Sequence, residues 1–244
     1  MNQTIKELME RKSVRVYEER PIEPEKKALI IEAALQAPTA GNMTLYSIID
    51  VTDQKKKETL AVTCDNQPFI AKAPMVLVFA ADYQKWYDLF CCYESEVRRP
   101  GMGDFLLAFD DALIAAQNAV VAAQSMGIGS CYIGDIMENY EVHRDLFDLP
   151  KYAVPAAMVV FGYPTKQQTE REKPKRLSRE AVVSENSYRH FTPREFEDQL
   201  QKSKDREENF ERWLRAFCKR KWNSGFSVEM SRSAEAMIQS WIKE

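Results

Sequence analysis

The stretch that decides the fold is DFLLAFDDALIAAQNAVVAAQSM, residues 104–126. Its apolar residues recur at helical spacing, and alanines on several sides allow neighbouring elements to approach closely. The residues that follow this spacing are Ala108, Ala112, Leu113, Ala116, Ala119, Val120 and Ala123. We therefore expect a central buried helix, which Gly127 ends in the usual C-terminal position.

Around this helix the sequence predicts a helix-rich chain with about four strands. The predicted helices cover residues 3–12, 24–36, 55–63, 139–147 and 228–242, and the predicted strands cover 46–51, 75–81, 128–135 and 156–161. The strand at 75–81 is wholly apolar, which is typical of a sheet centre covered on both faces. Because the long helices outweigh the strands, the pattern favours an α+β layer structure over a simple parallel βαβ array.

The composition excludes several classes of protein. The chain has 244 residues, a net charge of −3 and a pI near 5.7, so it is long enough for a real core and is not a generic nucleic-acid binder. The longest apolar run, residues 73–81, is too short for a bilayer, and no signal-peptide pattern opens the chain. We therefore expect a cytoplasmic protein with no membrane partner.

The cysteines and histidines argue against a metal or disulfide framework. Five cysteines are present with no CxxC pair, and the two histidines, His143 and His190, are far apart. We expect no metal site, and we interpret the cysteines as small apolar fillers that stay reduced.

The short basic stretch Arg11-Lys12-Ser13-Val14-Arg15 carries three cations and a hydroxyl, and no acid occurs from residue 11 to 17. Arg forks and a Ser hydroxyl donate hydrogen bonds to phosphate oxygens. The alternative is a solvated basic helix end, which the macrodipole favours. Taken alone, the stretch leaves both interpretations open.

Two other segments are less regular. Residues 83–103 are aromatic-rich and predicted to be irregular; they suit a lid, the wall of a substrate pocket, or plain packing. Residues 165–179 form a charged loop that contains Lys173-Pro174-Lys175-Arg176. Such a loop is usually solvated, and this second cationic cluster matters only if it folds beside the first.

The C-terminal region, residues 191–244, differs in kind. Of the 28 residues from 194 to 221, 16 are charged, yet four apolar residues keep helical spacing, which predicts one long helix. Those residues are Phe210, Trp213, Leu214 and Phe217. We expect a helical extension that packs on the same or a partner subunit, following a domain over residues 1–190.

Motifs for common chemistry are absent from the sequence: it contains no GxxxxGK[ST], GxGxxG, GxSxG or HExxH. The scattered acids form no defined acid/base pair. Chemistry without an obvious protein catalyst points to a cofactor.

Five segments in collinear order over about residues 3–190 resemble the nitroreductase family of FMN-dependent oxidoreductases, and most closely its oxygen-insensitive, NADPH-using branch. They are the basic stretch at 11–15, Ala37-Pro38-Thr39-Ala40-Gly41-Asn42, Gln67, Cys131-Tyr132-Ile133-Gly134, and the late pair Lys173–Arg176 with Glu185-Asn186-Ser187-Tyr188. One position departs from the pattern: the family usually has Gln two residues after Asn42, where this chain has Thr44.

The resemblance implies a set of FMN ligands. Arg11, Lys12 and Ser13 would bind the phosphate, joined by Arg176 and by either Lys173 or Lys175. Arg15 would lie near the pyrimidine edge and raise the reduction potential. The residues lining the ring would be Thr39, Gly41, Asn42, Gln67, Tyr132, Ile133 and Gly134.

The resemblance also implies an architecture and an activity. The fold would be a mostly antiparallel sheet flanked by helices, in a homodimer with exchanged termini and FMN at the interface. NADPH or NADH would reduce FMN by hydride transfer, and a nitroaromatic, quinone or flavin would then be reduced in a ping-pong cycle. Alternatives are a dedicated flavin reductase, an FMN-binding sensor or storage protein, and a flavin-free scaffold. Arg212, Arg215, Lys219, Arg220 and Lys221 are candidate partners for a 2′-phosphate, or are solvated.

Overall fold

The computed structural model describes residues 1–204 and 209–243. They divide into two compact units, one formed by Met1–Arg171 with the C-terminal stretch from Val228, the other by Glu172–Ser227. The boundary expected at residue 190 stays a prediction.

A four-stranded sheet lies at the centre of the first unit. Its strands are β1 (Tyr46–Asp50), β2 (Met75–Asp82), β3 (Gly129–Ile133) and β4 (Ala153–Gly162), in the order β1-β2-β4-β3. Every neighbouring pair is antiparallel. The expectation of an α+β protein with a mostly antiparallel sheet is confirmed.

The helices of the first unit include the five that the sequence predicts over residues 3–147, each to within a few residues, and three that it does not predict. They are α1 (Gln3–Glu10), α2 (Pro24–Leu35), α3 (Gln54–Thr63), α4 (Phe69–Lys72), α5 (Gln84–Tyr93), α6 (Met102–Ser125), α7 (Tyr140–Phe147) and α8 (Lys166–Glu170). The second unit contains α9 (Arg179–Val182), α10 (Pro193–Lys204) and α11 (Phe210–Lys221), and the final helix is α12 (Gly225–Ile242).

Helix α6 is the core helix that its alanines predict. Ala108, Ala112, Ala116 and Ala119 are wholly buried, and the helix packs between α2 and β2. Gly127 follows it with a φ of +73°, the left-handed conformation of a helix C-terminus. By length and composition α6 would also suit a membrane span, a test that core helices pass as well.

The two faces of the sheet bury separate cores. One core contains Leu77 and Phe79 of β2 together with α2, α6 and Trp241 of α12, whose ring meets Phe105 edge-on at 5.2 Å between centroids. The other contains Val76 and Val78 with α3 and α4. All eight residues of β2 are buried, so the strand is covered on both faces as expected.

Three sequence expectations are wrong. Residues 84–93, expected to be irregular, form α5, in which Trp86 and Phe90 pack one turn apart at 5.5 Å. The single helix expected over 194–221 is two helices, because Asn209 adopts a left-handed φ of 50° and caps α11 through Arg212 N. Residues 205–208 of that segment lie outside the described ranges.

The third concerns cysteines. All five are free, but only Cys64 and Cys131 are buried as apolar fillers; Cys91, Cys92 and Cys218 are exposed.

Strand β4 begins three residues before its predicted start. Pro155 is accommodated because the register with β2 shifts between Phe79 and Ala80, and such an irregularity tolerates a residue without an N–H.

Candidate cofactor site

The basic stretch at residues 11–15 lies beside β3. Ser13 forms a parallel bridge with Ser130, and Val14 N donates to Ser130 O at 2.9 Å. Farther along, Glu18 N donates to Tyr163 O at 2.9 Å, just after β4. The segment is therefore bonded to the backbone of the sheet region at two points.

Gly129 permits this close approach. A Cβ built at position 129 would lie 2.6 Å from Val14 Cγ2, closer than real side chains come. On β4, directly opposite, a Cβ at Gly162 would lie 2.5 Å from Tyr17 Cδ1. The two paired glycines thus leave space for two side chains of the N-terminal segment.

Three of the predicted phosphate and flavin ligands meet at the end of β3. Burial raises the pKa of the Cys131 thiol, and Arg15, Ser13 and Arg11 oppose that rise. Burial likewise raises the pKa of Tyr132 to about 12, against the nearby charge of Arg11. The side chains of Arg11, Ser13 and Arg15 therefore lie near Cys131, and that of Arg11 also lies near Tyr132.

The Arg11 guanidinium has an unmet donor. Its Nη1 is buried and has no hydrogen-bond partner among residues 1–204 and 209–243. In the same ranges, no carboxylate forms a salt bridge with Arg11 or Arg15. A buried charged donor without a partner is costly, so the arrangement suits an anionic group such as a phosphate.

Lys12 is differently engaged. Its Nζ donates to Thr169 O at 2.7 Å and to Arg171 O, while Arg171 Nη2 donates to Ser13 O at 2.7 Å. These bonds fix the backbone around residue 13 against residues 169–171. They leave Lys12 with one further N–H for an anion.

The loop with Thr39, Gly41 and Asn42 is held by Asp111 of α6. Its carboxylate accepts from Thr39 Oγ1, from Ala40 N at 2.9 Å and from Leu45 N at 3.2 Å. Gly41 and Asn42 both adopt left-handed conformations, with φ of 57° and 58°. The loop is thus a compact turn fastened to the core helix.

Sequence reasoning missed Asp111. A signal was available, because Asp111 falls between Ala108 and Ala112 on the helix face that the alanines mark as buried, and it is 3% exposed. An acid at such a position needs several donors. Thr44, at the position where the family usually has Gln, also belongs to this turn, and its N–H donates to Thr39 Oγ1 at 2.8 Å.

Gln67 reaches the end of β3 from the other side. Its Nε2 donates to Cys64 O at 2.9 Å and to Asp135 Oδ2 at 2.6 Å, which brings it beside Gly134. A Cβ at Gly134 would meet nothing within 4 Å, so the backbone there is open to approach. Ile133 is buried, which leaves only its backbone for a ligand.

The late cationic cluster belongs to the other compact unit. Lys173, Lys175 and Arg176 lie in the segment between α8 and α9, outside regular secondary structure. Their role at the phosphate stays a prediction. Within the first unit, residues 11–15 lie beside residues 130–132, Gln67 is bonded to Asp135 just after β3, and residues 39–42 are held by Asp111 of α6.

The site and fold together define a class: an α+β protein with a cationic N-terminal segment docked on its sheet. The sequence profile of the nitroreductase family matches residues 8–163. The chain is 33% identical over 192 residues to the FMN reductase [NAD(P)H] of Bacillus subtilis, covering 77% of this chain and 75% of that protein. It is 31% identical over 189 residues to the oxygen-insensitive NADPH nitroreductase of Salmonella typhimurium, with 77% and 75% covered.

Solved structures agree with this match. Nitroreductase A from Vibrio parahaemolyticus superposes with a TM-score of 0.82 at 26% identity, covering 98% of both chains. The chain belongs to the nitroreductase family.

Proposed function

We propose that this protein is an NAD(P)H-dependent FMN oxidoreductase that binds FMN through the residues gathered at the end of β3. The observation that carries the proposal is Arg11: a buried guanidinium nitrogen without a partner in the described chain, beside Ser13 and Arg15. The names of the relatives support the same cofactor and the same electron donor.

In this proposal Arg11 and Ser13 bind the phosphate, with Lys12 contributing its remaining N–H. Each donates to anionic oxygens, and Arg11 gains the partner that it lacks. Arg176 and one of Lys173 or Lys175 would complete the grip. Arg15 would place its cation at the pyrimidine edge of the ring, where positive charge favours the reduced, more negative form.

Bound FMN would supply the redox chemistry, taking two electrons from NAD(P)H and giving them to a nitroaromatic, quinone or flavin in a ping-pong cycle. The chain's own residues then bind and orient. Thr39, Gly41 and Asn42 would line the ring, Gln67 would hydrogen-bond it, and the backbone at Tyr132, Ile133 and Gly134 would approach it. A cytoplasmic location is part of the same proposal.

We further propose a homodimer with exchanged termini. Four large apolar side chains, in two pairs seven residues apart on α6, are 37–53% exposed: Leu106, Leu107, Leu113 and Ile114. Such a stripe on a core helix is typical of a surface that a second copy covers. Light scattering should give a molar mass twice the chain mass of 28.2 kDa. The variant Leu107→Glu should lower the measured molar mass toward that of a single chain.

The test of function is an absorbance spectrum of the protein with FMN, recorded anaerobically before and after NADPH. The enzyme is expected to bind FMN and bleach its visible bands, then regain them when a quinone is added. Bound FMN that NADPH never bleaches would favour a sensor or storage protein. No bound FMN at all would contradict the proposal.

A further inference from the structure

The amide of Gln67 is held in one orientation. Its Nε2 carries two N–H groups, and both are used, one by Cys64 O and one by Asp135 Oδ2. No donor meets Gln67 Oε1 within the part of the chain that the structure describes. The only group of this amide that is available to a ligand is therefore its carbonyl oxygen, which can accept a hydrogen bond.

Asp135 is in turn next to Glu138, a residue that is 6% exposed and whose backbone N–H donates to Asp135 O at 3.0 Å, and the two carboxyl groups are close enough to interact. Two carboxyl groups can hydrogen-bond to each other only if one of them carries a proton. Burial, followed by the bond to Asp135 and its charge, raises the pKa of Glu138 to about 8. At neutral pH Glu138 therefore holds the proton, and Asp135 Oδ2 accepts from Gln67 Nε2 at 2.6 Å.

The surroundings of Glu138 favour its neutral form. Asp65, after α3, and Glu229 of α12 add negative charge. Arg232 of α12 is bonded to Glu229 and to Glu141 of α7. The remaining titratable neighbours are Cys64, whose pKa is raised by burial, and His143, whose pKa burial lowers, so both are neutral. Glu138 Oε1 is buried without a partner among the described residues, as befits an uncharged oxygen.

We infer that the neighbouring acids Asp135 and Glu138 are positioning residues that leave the carbonyl oxygen of Gln67 as the available group of its amide, so that Gln67 recognises a ring N–H of FMN. The inference rests on the proposed function. An oxidised isoalloxazine carries one ring N–H, at N3, between two carbonyl groups. An amide locked as an acceptor pairs with N3–H and rejects a ligand that lacks it.

The pair also makes this recognition sensitive to pH. Above about pH 8 Glu138 loses its proton, and two adjacent carboxylates repel each other. As the two carboxylates move apart, the bond from Gln67 Nε2 to Asp135 is lost and only the bond to Cys64 O still holds the amide, so selection for N3–H weakens.

The experiment compares FMN with 3-methyl-FMN, in which a methyl group replaces the N3 hydrogen. Dissociation constants are measured by flavin fluorescence on the apo protein at pH 7 and pH 9. At pH 7 the unaltered protein should bind FMN about tenfold more tightly than the methylated analogue, the value of one neutral hydrogen bond. At pH 9 the ratio should fall below about threefold.

Three variants test the roles of Gln67, Glu138 and Asp135 one at a time. Gln67→Met should remove the discrimination at both pH values, and this variant also corrects for the bulk of the methyl group. Glu138→Gln, which can donate to Asp135 but cannot ionise, should keep the tenfold ratio at both. Because N3–H of the free flavin can also lose its proton at high pH, Glu138→Gln shows how much of any change at pH 9 comes from the flavin and not from Glu138. Asp135→Asn removes the charge that locks the amide and should reduce the ratio at pH 7.

The outcomes are distinct. Equal discrimination by the unaltered protein and Gln67→Met would overturn the role of Gln67. A ratio that survives both pH 9 and Asp135→Asn would overturn the carboxyl pair, even if Glu138→Gln fails to fold. If neither ligand binds any form, the proposed function itself is wrong.

Discussion

Val14 packs against Gly129 so closely that no side chain fits at position 129: an added Cβ would lie 2.6 Å from Val14 Cγ2 and 2.8 Å from Val14 Cβ. Val14 N is also bonded to Ser130 O, so the contact cannot be relieved by a rotation of the side chain alone. The position of the basic stretch at residues 11–15 therefore depends on the absence of one methyl group on β3.

Gly129→Ala is expected to displace the basic stretch and to destabilise the fold by about 1–3 kcal/mol, the usual cost of overpacking. Urea unfolding measures this loss. Val14→Ala in the same chain should recover part of it, because the two positions are in contact. Gly103→Ala is the control, since a Cβ there meets nothing within 4 Å. Equal costs at positions 129 and 103 would contradict the close contact.

Asp111→Ala should loosen the turn at residues 39–45. The change leaves Ala40 N, Leu45 N and Thr39 Oγ1 without their acceptor, at an expected cost of about 3 kcal/mol. Thermal or urea unfolding would measure this loss of stability, and the amount of FMN that stays bound to the variant would be measured separately. The neighbouring acid Asp110 is exposed on the same helix, so Asp110→Ala should change stability little. A similar effect of both variants would rule out the anchoring role.

Arg11→Ala or Ser13→Ala is expected to weaken FMN binding by about 10- to 100-fold, or about 1.5–3 kcal/mol for one charge-assisted bond. A titration of apo protein with FMN measures the dissociation constant. Lys6→Ala, which removes an exposed cation from α1, is the matched control and should bind FMN normally. Unchanged affinity in both site variants would remove the phosphate assignment.

Arg15→Ala should lower the reduction potential of bound FMN more than it lowers FMN affinity. The reason is that a nearby cation stabilises the reduced ring, which carries the extra negative charge. A potentiometric titration of the loaded protein gives the potential, and Arg15→Lys, which keeps the charge, should restore most of it. Identical potentials for Arg15→Ala and the unaltered protein would exclude this role.

Glu138 should make stability fall with rising pH. Its pKa is about 8 in the folded protein against 4.5 for an unperturbed carboxyl, so the native state binds the proton more tightly. That contribution is complete below pH 4.5 and is lost as the pH rises through 8. Glu138→Gln should therefore flatten the fall in unfolding free energy between pH 5 and pH 8.5. Glu32→Gln, at an exposed position, should leave the slope unchanged.

The regular elements were predictable where one periodicity dominated. The alanine spacing of α6 and the unbroken apolar run of β2 each allow one interpretation, and both are confirmed. Residues 84–93 were misjudged although the spacing of Tyr83, Trp86, Tyr87 and Phe90 is helical, and the first three of these side chains pack against one core. The break before α11 depends on the backbone of Asn209, which composition does not reveal.

Some residues of the candidate site could be predicted from the sequence, and others could not. The cationic stretch at 11–15 and Gln67 stand out by residue type and resemblance to the family. Asp111 and Asp135 act through other side chains, and those partners are distant in sequence: 72 positions separate Asp111 from Thr39, and 68 separate Asp135 from Gln67. Contacts of this kind follow from the tertiary fold and not from any local pattern.

The docking of residues 11–18 has a consequence for how the enzyme is made. These residues leave the ribosome well before some of the groups that hold them, because 157 positions separate Lys12 from Thr169. The residues that we propose as phosphate ligands therefore lack part of their support until β4 and the segment after it have emerged and folded. If these residues bind FMN as we propose, its capture is a late event of biogenesis, because a nascent chain that stalls before residue 163 lacks the acceptors of Lys12 Nζ and Glu18 N.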